Sequence, residues 1–229
     1  DSPHAGSLIQ SIEVCPFDPT TWLIASRNSG LSVWRCEPKP NLANRGGDEH
    51  DNEEEDEEAA DTSAANFVCT QLTYVLLRKL VEGSSPFDGA ASASESLSMT
   101  SARETVAHKC PTLATFSPCE SSVILCTTAS HPFVILFYNY AIRQVVRTVA
   151  LPQWQWATSL SATVTLGRKA LIAAGLRSGR LALIDYRSGQ TSEFDDALQG
   201  TPVGALGFCQ PQSILCAASN NVVHVWKTA

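Results

Sequence analysis

The sequence lacks the features of a membrane-spanning, secreted or zinc-binding protein. It has no stretch of about 18 uninterrupted apolar residues, so we expect no membrane span and no membrane partner. No basic region followed by an apolar core opens the chain, which argues against a signal peptide. The eight cysteines include no CxxC pair, and no Cys/His set has zinc-finger spacing. We therefore expect neither cofactors nor bound metal.

The chain contains a single methionine, Met99. Its first residue is Asp1 and not a methionine. We therefore expect a fragment or a processed form of a longer protein.

Two cysteines, Cys126 and Cys216, follow an aliphatic pair at the position where an alanine follows Leu-Ile in similar segments. A residue type that alternates with alanine fills a small buried slot. This pattern predicts reduced cysteines and an intracellular location, nuclear or cytoplasmic.

Acidic charge is concentrated in one segment. The formal net charge is −7, but residues 48–61 hold ten carboxylates and no Lys or Arg. The rest of the chain has 16 basic and 13 acidic residues and is therefore mildly basic. Such a run repels itself and buries little apolar area, which predicts a disordered loop, with a docking site for a basic partner as the alternative.

No catalytic arrangement is evident in the sequence. The five histidines are scattered, and nothing resembles the G-x-S-x-G turn of the α/β-hydrolases. The segment GLRSGR at 175–180 lacks the glycine spacing of a dinucleotide-binding loop and is typical of a hairpin turn. We therefore predict no catalytic, cofactor-binding or metal-binding residues, and an enzyme of small molecules is the least favoured class.

Four segments share the pattern of an apolar strand, a polar turn and a second strand that ends on a large residue. The first strand of each ends in a small residue, and another short strand precedes each hairpin. The hairpins are TWLIASRNSGLSVWRC, SVILCTTASHPFVILFYN, KALIAAGLRSGRLALIDYR and SILCAASNNVVHVWKT. The large terminal residues are taken to be Trp34, Phe137, Ile184 and Trp226.

The last three terminal residues recur at intervals of 47 and 42 positions. This period, with several short strands per unit and a terminal Trp-Asp signature, resembles WD40 repeats, which build β-propellers. The copies are degenerate, because only Ile184-Asp185 keeps the acid and the usual Gly-His pair is absent. The resemblance implies an all-β propeller in which Asp185 tightens a turn. Four or five units are fewer than the family's usual seven, which favours part of a larger propeller over a small ring closed by a partner.

The predicted units are separated by two polar insertions. Residues 1–37 form the first unit, and 67–81 supply its outer strand, although their apolar spacing also suits one face of a helix. Residues 38–66 are the acidic insertion, and 82–107 are a flexible loop rich in Ser and Ala. Residues 108–229 hold three further units.

Two sets of side chains are candidates for partner binding. If their segment is a strand, Trp154 and Trp156 lie on the same face and belong to the core. If it is a loop, they form a binding hot spot. Basic residues are dense in the third unit and could form a rim for acidic proteins or nucleic-acid complexes, or simply be solvated. These basic residues are Arg143, Arg147, Arg168, Lys169, Arg177 and Arg180.

The third unit and the C-terminal strands also resemble the propeller of RING/WD40 E3 ubiquitin ligases of the DNA-damage response. The matching positions are Val145, Val146, Trp154, Trp156, Ala174, Gly175, Leu176, Gly179, Asp185 and Arg187. The segment VCPFDPTTWLIAS at 14–26 has the Cys-Pro-Phe element of such propellers. The match covers about a third of the chain, which has no RING. It implies the part of a ligase that selects the substrate, with the RING outside this chain.

The sequence thus predicts a protein-interaction platform. The leading hypothesis is the substrate- or partner-binding region of a RING-type ubiquitin ligase. The alternative is a scaffold subunit of another complex, in trafficking, the nuclear pore or chromatin.

Overall fold

In a computed structural model, the described residues form four antiparallel β-sheets. The described residues are 8–26, 30–38, 67–76, 112–128, 131–165, 167–194, 198, 200–209, 214–220 and 222–227. Apart from Pro38, the acidic insertion and the Ser/Ala-rich loop lie outside these ranges, so both predictions stand untested. Among the described residues, no helix is long and apolar enough to cross a membrane.

Each sheet is built from strands that follow one another in the chain. Sheet 1 holds β1 (Ile9–Cys15), β2 (Asp18–Ser26), β3 (Gly30–Pro38) and β4 (Phe67–Leu76). Sheet 2 holds β5 (Ala114–Phe116), β6 (Val123–Cys126), β7 (Val134–Asn139) and β8 (Gln144–Ala150). Sheet 3 holds β9 (Ala157–Val164), β10 (Ala170–Leu176), β11 (Leu181–Asp185) and β12 (Thr191–Phe194). Sheet 4 holds β13 (Ala205–Cys209), β14 (Ile214–Ser219) and β15 (Val222–Lys227).

The first strand of each sheet lies innermost, and successive sheets pack face to face. Strand β1 contacts β5, β5 contacts β9, and β9 contacts β13. Three apolar clusters fill the interfaces between sheets 1 and 2, sheets 2 and 3, and sheets 3 and 4. The middle strands of sheets 2 and 3 are therefore covered on both faces, which explains why they are apolar throughout.

The two ends of the stacked sheets differ in their loops. We call the end where β1, β5, β9 and β13 begin the entry end, and the opposite end the exit end. Antiparallel pairing places the turns between the second and third strands at the entry end. The turns on either side of that hairpin lie at the exit end. At this exit end the Ser117 hydroxyl, just after β5, donates to the Tyr186 hydroxyl, just after β11, at 2.9 Å.

The outer flanks of the first and last sheets are apolar and exposed. On sheet 1, Ile12 is 56% exposed and Trp22 is 37% exposed, on the face that points away from sheet 2. On sheet 4, Val223 and Val225 are 66% and 60% exposed. Equivalent faces between the sheets are buried. The stack is therefore an open arc, as expected of part of a larger propeller ring.

One assignment made from the sequence is shifted by one residue. Phe137 was aligned with Ile184 and Trp226, but it packs towards sheet 3, whereas those residues face the preceding sheet. The true counterpart in sheet 2 is Tyr138, which packs in the cluster against sheet 1. The alignment went wrong because both residues are large and aromatic, and adjacent strand residues point to opposite faces.

The same shift identifies the counterpart of Asp185. The Asp185 carboxylate accepts hydrogen bonds from the Ser188 backbone N–H at 2.6 Å and the Ser188 hydroxyl at 2.8 Å. In sheet 2, the Asn139 side-chain oxygen accepts bonds from Ala141 N–H at 3.0 Å and Ile142 N–H at 3.2 Å. Both residues end the third strand of a sheet. They therefore perform the same task, fixing the turn to the fourth strand.

Glu13 connects sheets 1 and 2 and gives a prediction about pH. Its carboxylate accepts hydrogen bonds from the Thr115 hydroxyl at 2.8 Å and the Phe116 backbone N–H at 3.3 Å. Burial raises the pKa of Glu13 above its ordinary value of 4.5, and these two bonds only partly oppose it. The folded chain therefore holds this proton more tightly than the unfolded chain, so this group makes the free energy of unfolding fall as the pH rises through its pKa.

We expect Glu13→Gln to gain stability relative to the unmodified protein as the pH is raised from 4 to 7. The neutral amide avoids burying a charge and can still bond to Thr115 and Phe116. The measurement is urea unfolding at both pH values. Asp18→Asn is the control, and it should lose stability relative to the unmodified protein over the same pH range. Hydrogen bonds from Thr20 and Thr21 lower the pKa of Asp18, so its ionised form stabilises the fold. A Glu13→Gln variant whose relative stability is the same at both pH values would contradict the assignment.

Candidate protein-interaction site

The innermost strands surround a cavity near the entry end. Its volume is about 330 Å³, and all four sheets line it, through residues such as Gln10, Leu113, Ser159 and Gly204. Hydrogen bonds join neighbouring sheets around it. The Thr112 backbone N–H donates to the Gln10 side-chain oxygen at 2.8 Å, and the Ser159 hydroxyl donates to a backbone carbonyl of the segment before β13.

Four residues at the entry end of sheet 3 form what we call the entry cluster: Gln155, Trp156, Arg177 and Ser178. The Arg177 backbone N–H donates to the Trp156 carbonyl at 2.9 Å, and its guanidinium carbon lies 4.8 Å from the centre of the indole ring. The Ser178 hydroxyl donates to the Gln155 side-chain oxygen. Trp156 is half-buried and Arg177 is exposed. The pair therefore presents an aromatic surface and a positive charge side by side.

The turn that carries Arg177 is fixed by a glycine. Gly179 has φ +84°, a left-handed conformation that side chains disfavour. A Cβ at Gly179 would also lie 2.8 Å from the Thr201 carbonyl oxygen and 2.9 Å from the Gly200 nitrogen. The turn is therefore pressed against the segment that leads into sheet 4, and this contact holds Arg177 over the indole.

The two tryptophans do not share a strand. Residues Pro152–Trp154 form a single 3-10 turn, and β9 begins only at Ala157. Trp156 therefore lies in a connection at the entry end, the loop setting in which the sequence predicted a binding role. The side chain of Trp154 lies outside the described atoms.

The six basic candidates do not lie on one rim. Arg177 and Arg180 belong to the entry end, where an Arg180 guanidinium nitrogen is 3.4 Å from a Glu193 carboxylate oxygen. Arg143, Arg168 and Lys169 are exposed in turns at the exit end. Antiparallel strands separate these turns, because successive turns of a hairpin lie at opposite ends of a sheet.

Arg147 has a structural role. Its guanidinium donates to the Tyr186 and Arg187 carbonyls, at 2.6 and 3.1 Å, and lies 5.1 Å from the centre of the Phe137 ring. It thereby joins sheets 2 and 3. Among the described residues, no group of three or more His, Cys, Asp or Glu is placed to hold a metal ion.

Sequence reasoning missed Gln155 and Ser178. The only available signal was the Ser-Gly turn itself, which shows that residues 177–180 connect two strands. It does not show that residue 155 reaches the same turn, because that contact depends on how the sheet folds back.

Comparison with known proteins supports the propeller assignment. No family model matches the chain. Human WD repeat-containing protein 90 is 27% identical over 132 residues, which are 58% of this chain and 7% of that protein. The chain thus spans less than a tenth of that relative. The crystal structure of Chaetomium thermophilum Raptor is similar over 96% of this chain and 16% of the Raptor chain. The TM-score is 0.54 and the sequence identity is 11%. The fold is that of an all-β, WD40-type β-propeller arranged as four sheets.

Proposed function

We propose that this chain is a protein-interaction platform and that the entry cluster contacts the partner. The observation that carries the proposal is the half-buried Trp156 with the exposed Arg177 stacked on it, at the entry end of sheet 3. Trp and Arg are the residue types most enriched at binding hot spots. The backbone bond between them and the glycine turn hold the pair in place, so little side-chain freedom is lost on binding.

The chemistry of the entry cluster favours a partner segment with an acidic and an apolar residue. Arg177 offers a guanidinium to a carboxylate, and the indole of Trp156 offers apolar surface. A nucleic acid fits less well. It would need basic side chains along one continuous path, whereas the described basic candidates lie at two opposite ends.

The experiment is quantitative affinity purification followed by direct binding of the proteins recovered. We expect Trp156→Ala and Arg177→Ala each to weaken the affinity of a specific partner by about 10- to 30-fold, the effect typical of a hot spot. Arg143→Ala, an exposed arginine at the exit end, is the matched control and should leave the affinity unchanged. If the control weakens binding and the two entry variants do not, the proposal is wrong.

Two more specific functions, a substrate-binding region of a ubiquitin ligase and a scaffold subunit, require different partners. The resemblance of the third unit supports a substrate-binding region of a RING-type ubiquitin ligase of the DNA-damage response. The scaffold alternative requires a stoichiometric complex without ubiquitin enzymes. Recovery of partners that are ubiquitinated when the full-length protein is present would favour the ligase. A constant-ratio complex without ubiquitin machinery would favour the scaffold.

A further inference from the structure

Two cysteines face each other on the outer strands of sheet 1. Cys36 of β3 and Cys69 of β4 are direct partners in the antiparallel register. Their Sγ atoms lie 2.6 Å apart, and both are free thiols. The sequence did not suggest this pair, because 33 positions separate the two residues and the register of β4 on β3 cannot be inferred from composition.

The geometry suits a covalent bond between them. Residues directly opposite in an antiparallel pair have Cα atoms about 4.5–5.5 Å apart, within the range that disulfides span. A disulfide bond is about 2.05 Å long, so the two sulfur atoms need approach by only about half an ångström. Side-chain rotation alone is sufficient for such a movement, and the backbone can keep its register.

The pair is also accessible. Cys69 is exposed and Cys36 is half-buried, whereas Cys15 and Cys126 are buried in the core. A soluble oxidant can therefore reach the pair without unfolding the chain. Accessible disulfides of this kind are the labile ones in reducing compartments, where they form and break in response to redox conditions.

We propose that Cys36 and Cys69 form a reversible redox site that hydroperoxides oxidise to a disulfide. The Cys69 sulfur attacks one oxygen of hydrogen peroxide, the O–O bond breaks, and a sulfenic acid and one water are produced. The Cys36 sulfur then attacks the Cys69 sulfur, the S–O bond breaks, and the hydroxyl leaves with the Cys36 proton as a second water. Two thiols are oxidised to one disulfide, and the peroxide is reduced to two waters.

The order of the two steps follows from the surroundings of each thiol. The hydrogen bond with Cys69, followed by burial, raises the pKa of the Cys36 thiol to about 11. Cys69 is also the more exposed of the two thiols, so it is the one that meets the oxidant. Two equivalents of a small thiol reverse the reaction by thiol–disulfide exchange.

The disulfide would fasten the outermost strand of sheet 1. Strand β4 pairs with β3 along one edge. Closing a loop of 33 positions removes freedom from the unfolded chain and so raises the melting temperature. For a chain of this size we expect an increase of about 5–10 °C on oxidation, together with slower amide exchange in β4.

The test is oxidation of the purified chain by hydrogen peroxide, blocking of the remaining thiols and peptide mapping by mass spectrometry. We expect a linked peptide pair that contains Cys36 and Cys69, and dithiothreitol should restore both thiols. The unmodified protein suffices for this measurement, so it does not depend on a variant that folds.

Variants then connect the link to stability. Cys36→Ser and Cys69→Ser should each abolish the rise in melting temperature on oxidation, whereas Cys119→Ser, which removes another exposed cysteine, should keep it. Three outcomes would overturn the proposal: sulfinic acid without a link, links that join other cysteines, or a rise that survives in both serine variants.

Discussion

Replacing Gly175 by alanine is expected to loosen sheet 4 from sheet 3 and to lower the free energy of unfolding by about 1–3 kcal/mol. Gly175 lies in β10, and a Cβ there would be 2.6 Å from the Val203 Cβ and against the Ser159 hydroxyl. Real Cβ atoms essentially never approach another atom so closely. Val203 is fully buried, so relieving this contact requires its core neighbours to shift as well.

The strain would fall on the bonds that hold sheet 4. The Val203 carbonyl accepts hydrogen bonds from the Thr158 hydroxyl at 2.7 Å and the Ser159 hydroxyl at 3.2 Å. An added methyl group pushes the Val203 segment outward and weakens both bonds. We therefore expect hydrogen exchange to accelerate in β13 and β14, while β6 and β7 keep their protection.

Gly207 supplies the matched control for this prediction. It also lies in a strand, but a Cβ there would meet no atom within 4 Å among those described. Gly207→Ala should therefore be neutral or stabilise the fold by a few tenths of a kcal/mol, because alanine restricts the unfolded chain. Equal unfolding midpoints for the two variants in urea would show that the contact with Val203 does not constrain the interface.

The sequence was a good guide to the elements and a poor one to their faces. Alternation and turn residues located the hairpins and the short strands before them, because these signals are local. A shift of one residue in the alignment moves a side chain to the other face of the strand. Phe137 and Tyr138 are adjacent and both aromatic, so the sequence does not show which of them is the counterpart of Ile184. The error in one repeat also concealed Asn139 as the counterpart of Asp185.

The candidate site was predicted only in part for a related reason. Trp154 and Trp156 were identified because two tryptophans lie two positions apart and tryptophan is enriched at binding hot spots. Arg177, the partner of Trp156, was grouped instead with nearby basic residues, since closeness in sequence was the only available measure. In a sheet of antiparallel strands, residues a few positions apart lie at opposite ends, as Arg168 and Arg177 do. The contact between Arg177 and Trp156 depends on the sheet as a whole.

Phe137→Ala and Tyr138→Ala are expected to weaken opposite sides of sheet 2, each by about 3–5 kcal/mol. Phe137 is 2% exposed, and its ring centre lies 5.3 Å from that of Tyr186 in sheet 3. Tyr138 is 1% exposed and packs in the cluster that contains Leu23 and Val33 of sheet 1. Each truncation leaves a cavity at one interface only, since the two side chains point to opposite faces.

Hydrogen exchange measured strand by strand would distinguish the two variants. Loss of Phe137 should accelerate exchange in β10 and β11, and loss of Tyr138 should accelerate it in β2 and β3, because each ring covers a different neighbour. Val146→Ala is the control, since this side chain is 51% exposed and its loss should change stability by no more than about 0.5 kcal/mol. The corrected register is wrong if loss of Phe137 accelerates exchange in β2 and β3 and loss of Tyr138 accelerates it in β10 and β11. Phe137 would then be the counterpart of Ile184.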